Sequence, residues 1–205
     1  MFNLEQLILS VPAILLAIAF HELGHAFVAY KLGDPTPKYQ GRLTLNPFAH
    51  LDPLGTIMLL VFRIGWARPV VINPHFFKNR RRDTVLVSIA GPLANVLLSW
   101  LFYNILKFTT GYGLGSSFTR TLFLFLLLNV QINLSLAAFN LLPVPPLDGS
   151  KIVAGFLPPK WEYELSRFAQ YGPIVLVLLL LSGGARLIIN PIYNFLSQLV
   201  IRLSI

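Results

Sequence analysis

The chain has 205 residues, of which 55% are hydrophobic and 12% are charged, and a soluble domain carries about twice that charged fraction. The net charge of +8 does not indicate nucleic-acid binding, because the basic residues lie in loops beside apolar segments, where they orient membrane proteins. Cysteine is absent, which excludes disulfides, thiolate ligands and a thiol nucleophile. We therefore predict an integral membrane protein with a single domain over residues 1–205, since its loops are too short for another.

The first apolar segment, residues 4–32, contains the sequence HELGH at residues 21–25. On a helix, His21 and His25 lie one turn apart on one face, where they could hold one Zn²⁺ with Glu22 beside it as a general base. The alternative is a pair of histidines that hydrogen-bond neighbouring helices, but three polar groups in five positions are costly there. We expect a retained transmembrane helix and not a signal peptide, because a basic n-region and a cleavage site are missing.

The region after this helix contains two candidate strands and one short apolar segment. Residues 40–45 alternate in the manner of a strand, and residues 68–72 are a second strand candidate. The sequence thus predicts a small β-hairpin or sheet in the loop after the first helix. Residues 54–64 are apolar but too short to cross about 30 Å as a straight helix, so we expect a re-entrant or partial span.

Three further apolar segments are long enough to cross a membrane: residues 84–108, 119–142 and 173–189, the last interrupted by two glycines. The predicted fold is therefore an all-α polytopic membrane protein with about four full transmembrane helices. The tail over residues 191–205 is apolar, and its depth in the membrane is left open.

The distribution of basic residues predicts the orientation. Residues 31–83 carry nine Lys and Arg, residues 143–171 carry three more, and four remain for the other side. By the positive-inside rule, both of these loops are cytoplasmic and the N-terminus is outside. The HELGH sequence and the end of the segment 119–142 then lie on the same side. We expect a multi-pass protein of the cell membrane whose site faces the cytoplasm.

A catalytic zinc site needs a third protein ligand and one open position. Asp148 stands out, because it follows an apolar helix in a proline-rich, uncharged sequence, but an ordinary turn or a helix cap explains it equally well. His50 and His75 flank turn-forming prolines and are expected to be polar loop residues. The full set of candidates is Asp34, His50, Asp52, His75, Asp83, Asp148, Glu162 and Glu164.

Three sequence elements together resemble the site-2 proteases, intramembrane zinc metalloproteases that cut transmembrane helices of other proteins. They are, in order, HELGH at residues 21–25, GPLAN at residues 91–95 and NLLPVPPLDG at residues 140–149. Residues 46–56 and 67–70 also resemble the connecting region of that family. The similarity covers roughly residues 10–160, and the chain resembles a minimal member without a PDZ or CBS domain.

The resemblance implies that His21, His25 and Asp148 bind one zinc ion per chain, that Glu22 is the general base, and that Asn140 lines the site. It also implies a transmembrane protein substrate and a lipid bilayer as surroundings, while the substrate's identity and the oligomeric state stay open. Asn140 could donate to the oxyanion, or it could be a buried amide that ties helices together. We expect Asn95 to serve helix packing.

Two other functions deserve comparison. A membrane zinc carrier or channel would favour several metal sites along a path, whereas the chain has four histidines, two of them in loops that are not apolar. A catalytically silent relative that only binds membrane helices is disfavoured because Glu22 stands between both histidines. The sequence therefore favours a zinc endopeptidase.

Overall fold

The computed structural model describes residues 4–52, 54–55, 58, 68–110 and 116–204. These residues are mainly helical, as predicted. Single turns of 3₁₀ helix lie at Pro47–Ala49, Pro74–Phe76 and Ala169–Tyr171. The α-helices, in chain order, are α1 (Leu4–Lys31), α2 (Thr36–Tyr39), α3 (Arg80–Thr110), α4 (Ser117–Asn140), α5 (Asp148–Ala154), α6 (Pro159–Phe168), α7 (Gly172–Leu181) and α8 (Gly184–Leu203).

Among the residues that the structure describes, four helical segments are long and apolar enough to cross a membrane, in agreement with the predicted number of spans. They are Leu4–Lys31, Arg80–Thr110, Ser117–Asn140 and Pro159–Leu181. The last differs from the predicted segment 173–189, because α7 stops at Leu181 and Gly183 takes a left-handed conformation with φ +74°. The chain then starts α8 in a new direction, so the C-terminal tail belongs to a separate helix.

The predicted β-hairpin was wrong for the described residues, which contain no strands. Residues 40–45 form turns and bends, and residues 68–73 have no regular secondary structure. The physical reason is that side chains bind backbone groups that a ladder would need. His50 Nε2 lies 2.9 Å from the carbonyl oxygen of Thr44, and the backbone N–H of Val70 donates to Glu22. The predicted partial span 54–64 lies mostly outside the described residues.

Helices α1, α3 and α4 form the core that carries the site. Small side chains permit the close packing that is typical of membrane helices. A Cβ on Gly24 would lie 2.6 Å from the carbonyl oxygen of Ala90, so α1 and α3 touch backbone to backbone at this point. The fully buried alanines of α1 are Ala13, Ala17, Ala19, Ala26 and Ala29.

The turn between α4 and α5 carries Asp148 back towards α1. A Cβ on Gly149 would lie 2.3 Å from the carbonyl oxygen of Leu141 and 2.4 Å from that of Leu142. Only glycine allows the start of α5 to pack this closely against the end of α4. The turn thus fixes the height at which the Asp148 side chain meets the first helix.

Candidate metal centre

Three buried side chains meet at one point between α1 and α5. His25 Nε2 lies 3.1 Å from His21 Nε2 and 3.1 Å from Asp148 Oδ2, and His21 Nε2 lies 3.2 Å from the same Asp148 oxygen. The two histidines come from successive turns of α1, as the spacing predicts, and Asp148 comes from the first residue of α5. Among the residues that the structure describes, this is the group that could hold a metal ion.

The spacing of these three atoms fits zinc. Ligand nitrogens and oxygens lie about 2.0–2.2 Å from zinc in a tetrahedral site, which places neighbouring ligand atoms about 3.3 Å apart. The observed separations of 3.1, 3.1 and 3.2 Å are close to that edge length. Two imidazoles and one carboxylate are also the donor set of a catalytic zinc site with an open fourth position.

The outer ring nitrogens of both histidines have buried acceptors on α3. His21 Nδ1 lies 2.7 Å from Asn95 Oδ1, and His25 Nδ1 lies 2.7 Å from the carbonyl oxygen of Val87. Metal-binding histidines usually have such a second partner, which orients the ring and holds the other nitrogen towards the metal. Sequence reasoning assigned Asn95 to helix packing and did not connect it with His21.

Gly91, the first residue of the GPLAN element, is the point where α3 passes behind the histidines. A Cβ at this position would lie 2.3 Å from His25 Nε2 and 2.8 Å from His21 Cε1. Contacts this short are not possible, so glycine is required if both imidazoles are to face Asp148. The element was identified from the sequence by resemblance, but only the packing shows what its glycine does.

Glu22 lies beside the histidine pair and lines the same cavity, whose volume is about 970 Å³. One of its carboxylate oxygens accepts the backbone N–H of Val70 at 3.0 Å. This hydrogen bond ties the irregular segment 68–73 to the first helix at the level of the site.

Asn140 lines the cavity at the end of α4. Its Nδ2 atom donates to the carbonyl oxygen of Leu136 at 3.0 Å, within its own helix. A primary amide has two N–H groups, so the second is not used by this bond. The structure therefore brings Asn140 to the cavity and leaves both of its sequence interpretations open.

The other candidate ligands have structural partners away from the three-residue group. Asp34 accepts the backbone N–H groups of Thr36 and Asn73, and Asp83 accepts that of Asn79. The remaining contacts are from His50 to the carbonyl of Thr44, from His75 to Arg80, from Asp52 to the N–H of Gly55, from Glu162 to Arg81, and from Glu164 to Arg167.

Lys151 is a cavity residue that sequence reasoning missed. Its Nζ lies 3.7 Å from Asp148 Oδ1, the carboxylate oxygen that faces away from the histidines. Burial alone would raise the pKa of Asp148, but the imidazoles of His21 and His25 beside its Oδ2 atom hold that pKa below its ordinary value. This direction favours the deprotonated form, which is the form in which carboxylates bind metals. The spacing of three residues on a predicted helix was the available signal for Lys151.

Comparison with known proteins gives a consistent set of relatives. The family model described as "Peptidase family M50" matches residues 10–124 and 115–181. "Putative zinc metalloprotease YwhC" of Bacillus subtilis (strain 168) is 44% identical over 186 residues, which are 90% of this chain and 85% of the relative. No solved structure gives a significant match.

More distant relatives carry similar names. "Putative zinc metalloprotease Rip2" of Mycolicibacterium smegmatis is 30% identical over 85% of this chain and 67% of its own length. "Zinc metalloprotease MJ0392" of Methanocaldococcus jannaschii is 26% identical over 82% of this chain, but the match covers 40% of that relative. The residues that the family model matches include both the histidine pair and Asp148.

Proposed function

Because this chain belongs to peptidase family M50 and is a zinc metalloprotease, we propose that it hydrolyses peptide bonds within or near transmembrane segments of other membrane proteins. The observation that carries this proposal is the position of the histidine–aspartate group, which opens onto a cavity between two membrane-length helices, α1 and α4. A substrate segment that lies in the membrane can approach such a site without leaving the bilayer.

The lining of the cavity supports an apolar substrate. Ile14 and Ile18 of α1 face Ile132 and Leu136 of α4 across it. Its volume of about 970 Å³ is near the upper end of the range for ligand sites, about 300–1,000 Å³. A helical substrate hides its carbonyl groups in intrahelical hydrogen bonds, so we expect the bound segment to unwind locally before it is cut.

We assign one role to each residue of the site. His21, His25 and Asp148 hold the zinc, which when bound makes water acidic and polarises a carbonyl group. Glu22 accepts the proton of the attacking water and delivers it to the leaving amine. Asn140 donates its second amide N–H to the developing oxyanion. A transport path would favour several metal groups, and the described residues contain one.

The first test is Glu22→Gln. Glutamine has the same shape but cannot accept the proton, so we expect cleavage of a model transmembrane peptide to fall by about 10²–10⁴-fold. The zinc content of the detergent-purified protein should stay at the wild-type value, because Glu22 is not a ligand. Glu164→Gln on α6, where Glu164 pairs with Arg167, is the matched control and should cleave normally. A Glu22→Gln variant with wild-type cleavage would overturn the role of Glu22.

The ligand assignment is tested by zinc affinity. Asp148→Ala and His21→Ala should each lose both zinc and cleavage, because each removes one of three donor atoms. Glu162→Ala, which removes a carboxylate that faces Arg81, should keep both. If folded Asp148→Ala protein binds zinc with wild-type affinity, Asp148 is a turn residue and the third ligand lies elsewhere.

We also propose that the site faces the cytoplasm in the cell membrane. The support is the charge distribution, since residues 31–83 and 143–171 carry most of the Lys and Arg. The chain has no native cysteine, so single cysteines report topology directly. Cysteines at Lys78 and Lys160 should react with an impermeant reagent from the cytoplasmic side, and one at Ser116 from the opposite side. Labelling of Lys78 and Ser116 from one side contradicts the orientation.

A further inference from the structure

We propose that Asn95 is a positioning residue of the zinc site, whose side-chain amide fixes which nitrogen of His21 faces the metal. The proposal rests on the ligand assignment given above. Asn95 lies in the middle of α3, is fully buried, and contacts α1 and α4 at once. It touches neither the donor atoms nor the cavity, so its effect on zinc has to pass through His21.

The orientation of the Asn95 amide follows from its partners. One amide atom lies 2.9 Å from the backbone carbonyl oxygen of Ala17 and 2.9 Å from Asn133 Oδ1. A backbone carbonyl can only accept a hydrogen bond, so the atom that faces Ala17 must be the NH₂ group. The other amide atom, which lies 2.7 Å from His21 Nδ1, must then be the carbonyl oxygen Oδ1.

The amide orientation determines the tautomer of His21. Asn95 Oδ1 has no hydrogen, so His21 Nδ1 must donate the hydrogen bond between them. In a neutral imidazole the other nitrogen, Nε2, then carries the free lone pair. His21 Nε2 is also the atom that lies 3.2 Å from Asp148 Oδ2. The buried amide therefore holds Nδ1 as a hydrogen-bond donor and leaves Nε2 as the nitrogen that can bind zinc.

Asn133 holds this arrangement from α4. Its Oδ1 accepts from Asn95, and its own Nδ2 donates to the backbone carbonyl of Asn129 at 2.9 Å. If Asn95 flipped, its oxygen would face two acceptors, those of Ala17 and Asn133. The two histidines differ in this respect, because the partner of His25 Nδ1 is the backbone of Val87. A substitution of Asn95 can therefore remove the hydrogen-bond acceptor of His21 Nδ1 and leave that of His25 Nδ1 in place.

The test compares three variants. Asn95→Leu removes the acceptor of His21 and keeps the number and branching of the side-chain heavy atoms. Asn95→Asp keeps an oxygen acceptor for His21, and its other oxygen, which faces the acceptors of Ala17 and Asn133, takes up a proton there and keeps one of the two donated hydrogen bonds. Ser99→Ala is the matched control, because Ser99 lies one turn later on α3, is fully buried, and donates to the carbonyl of Val130 on α4 without contact to a histidine.

Two readouts separate positioning from packing. The first is the imidazole ¹⁵N spectrum of metal-free, histidine-labelled protein at about pH 8, above the ordinary histidine pKa of about 6.5; four histidines make assignment practicable. The second is zinc affinity by competition with a chelator. We expect Asn95→Leu to lose the Nδ1–H form of His21 and about 10–100-fold in zinc affinity, while Asn95→Asp and Ser99→Ala keep both.

Each outcome decides the proposal. Folded Asn95→Leu protein with unchanged His21 tautomer and zinc affinity overturns it, and so does a zinc loss in Ser99→Ala as large as that in Asn95→Leu. If Asn95→Leu does not fold, Asn95→Asp decides, since a loss of its His21 Nδ1–H signal or of tenfold zinc affinity contradicts the proposed role. Failure of the ligand assignment is distinguished by His21→Ala, whose zinc affinity would then stay normal.

Discussion

The site-bearing core of α1, α3 and α4 and the C-terminal segment of α6 and α7 are both apolar enough to cross a membrane but are packed very differently. Half of the residues in the most apolar window of Arg80–Thr110 are buried, against 6% in Pro159–Leu181. The core buries alanines, glycines and amides, whereas α7 exposes its large side chains, such as Leu178 and Leu181. Helix α7, in which five of ten residues are leucine, therefore contributes only Gly172 to the buried residues.

The two regions differ in burial because the solvent around a membrane protein is lipid. Lipid tails are as apolar as leucine, so a leucine-rich helix gains little by leaving lipid for a protein contact. Small residues allow backbones to approach, and buried polar groups need protein partners, so these residues determine which helices associate. In this chain the buried amides Asn95, Asn129 and Asn133 mark the helices that build the site.

The largest difference between the two regions is expected when a glycine in each is replaced by alanine and zinc affinity and cleavage are measured. Gly91→Ala places a Cβ 2.3 Å from His25 Nε2, so the histidine must move off its zinc-binding position. Loss of one ligand should reduce cleavage by at least about 100-fold and zinc affinity by at least about tenfold. Both are measured on detergent-purified protein.

Gly184→Ala at the start of α8 is the control for that substitution. The nearest atom to the added Cβ is the Ser182 hydroxyl at 3.2 Å, the end of an exposed side chain that can rotate. Zinc binding and cleavage should stay within about twofold of wild type, as for other surface changes of about 0.5 kcal/mol. Normal zinc affinity in Gly91→Ala would show that α3 can move away from the histidines.

A smaller effect is expected from truncating one leucine in each region. Leu134 of α4 is 1% exposed and packs with Val130, Leu196 and Val200, so Leu134→Ala leaves a cavity and should lower the free energy of unfolding by about 2–4 kcal/mol. Leu178 of α7 is 60% exposed, and Leu178→Ala should change it by less than about 0.5 kcal/mol.

Equilibrium unfolding in mixed detergent micelles, followed by circular dichroism, measures both leucine variants under one condition. The wild-type protein supplies the reference, and the difference between the two variants is the informative quantity. Equal destabilisation by Leu134→Ala and Leu178→Ala would mean that α7 is packed against protein and that the contrast between the two regions is wrong.

The smallest effect concerns the break between α7 and α8. Gly183 has φ +74° and no neighbouring atom within 4 Å of an added Cβ, so Gly183→Ala introduces backbone strain without a clash. A left-handed residue with a side chain costs about 1–2 kcal/mol, and the free energy of unfolding should fall by that amount while cleavage is retained. Gly184→Ala lacks the positive φ and should show no such loss.

Much of the fold and the zinc-binding group could be predicted from the sequence, because their signals are local. Hydropathy over about 20 residues identifies a span, and the four-residue spacing of His21 and His25 places them on one helical face. The predicted hairpin failed for a non-local reason. Its backbone groups bind side chains that come from elsewhere in the chain, including Glu22, which lies 48 residues before Val70.

The sequence by itself determined that this chain is a membrane protein, where three of its four candidate spans lie, and which two histidines share a face with Glu22 beside them. Only the tertiary structure decided what the other residues do. Asp148 meets the histidines because Gly149 lets α5 pack against α4, and Asn95 meets His21 because Gly24 and Gly91 let α3 approach α1. These roles depend on distances between helices. Those distances follow from packing between residues far apart in the chain, which a local sequence pattern does not predict.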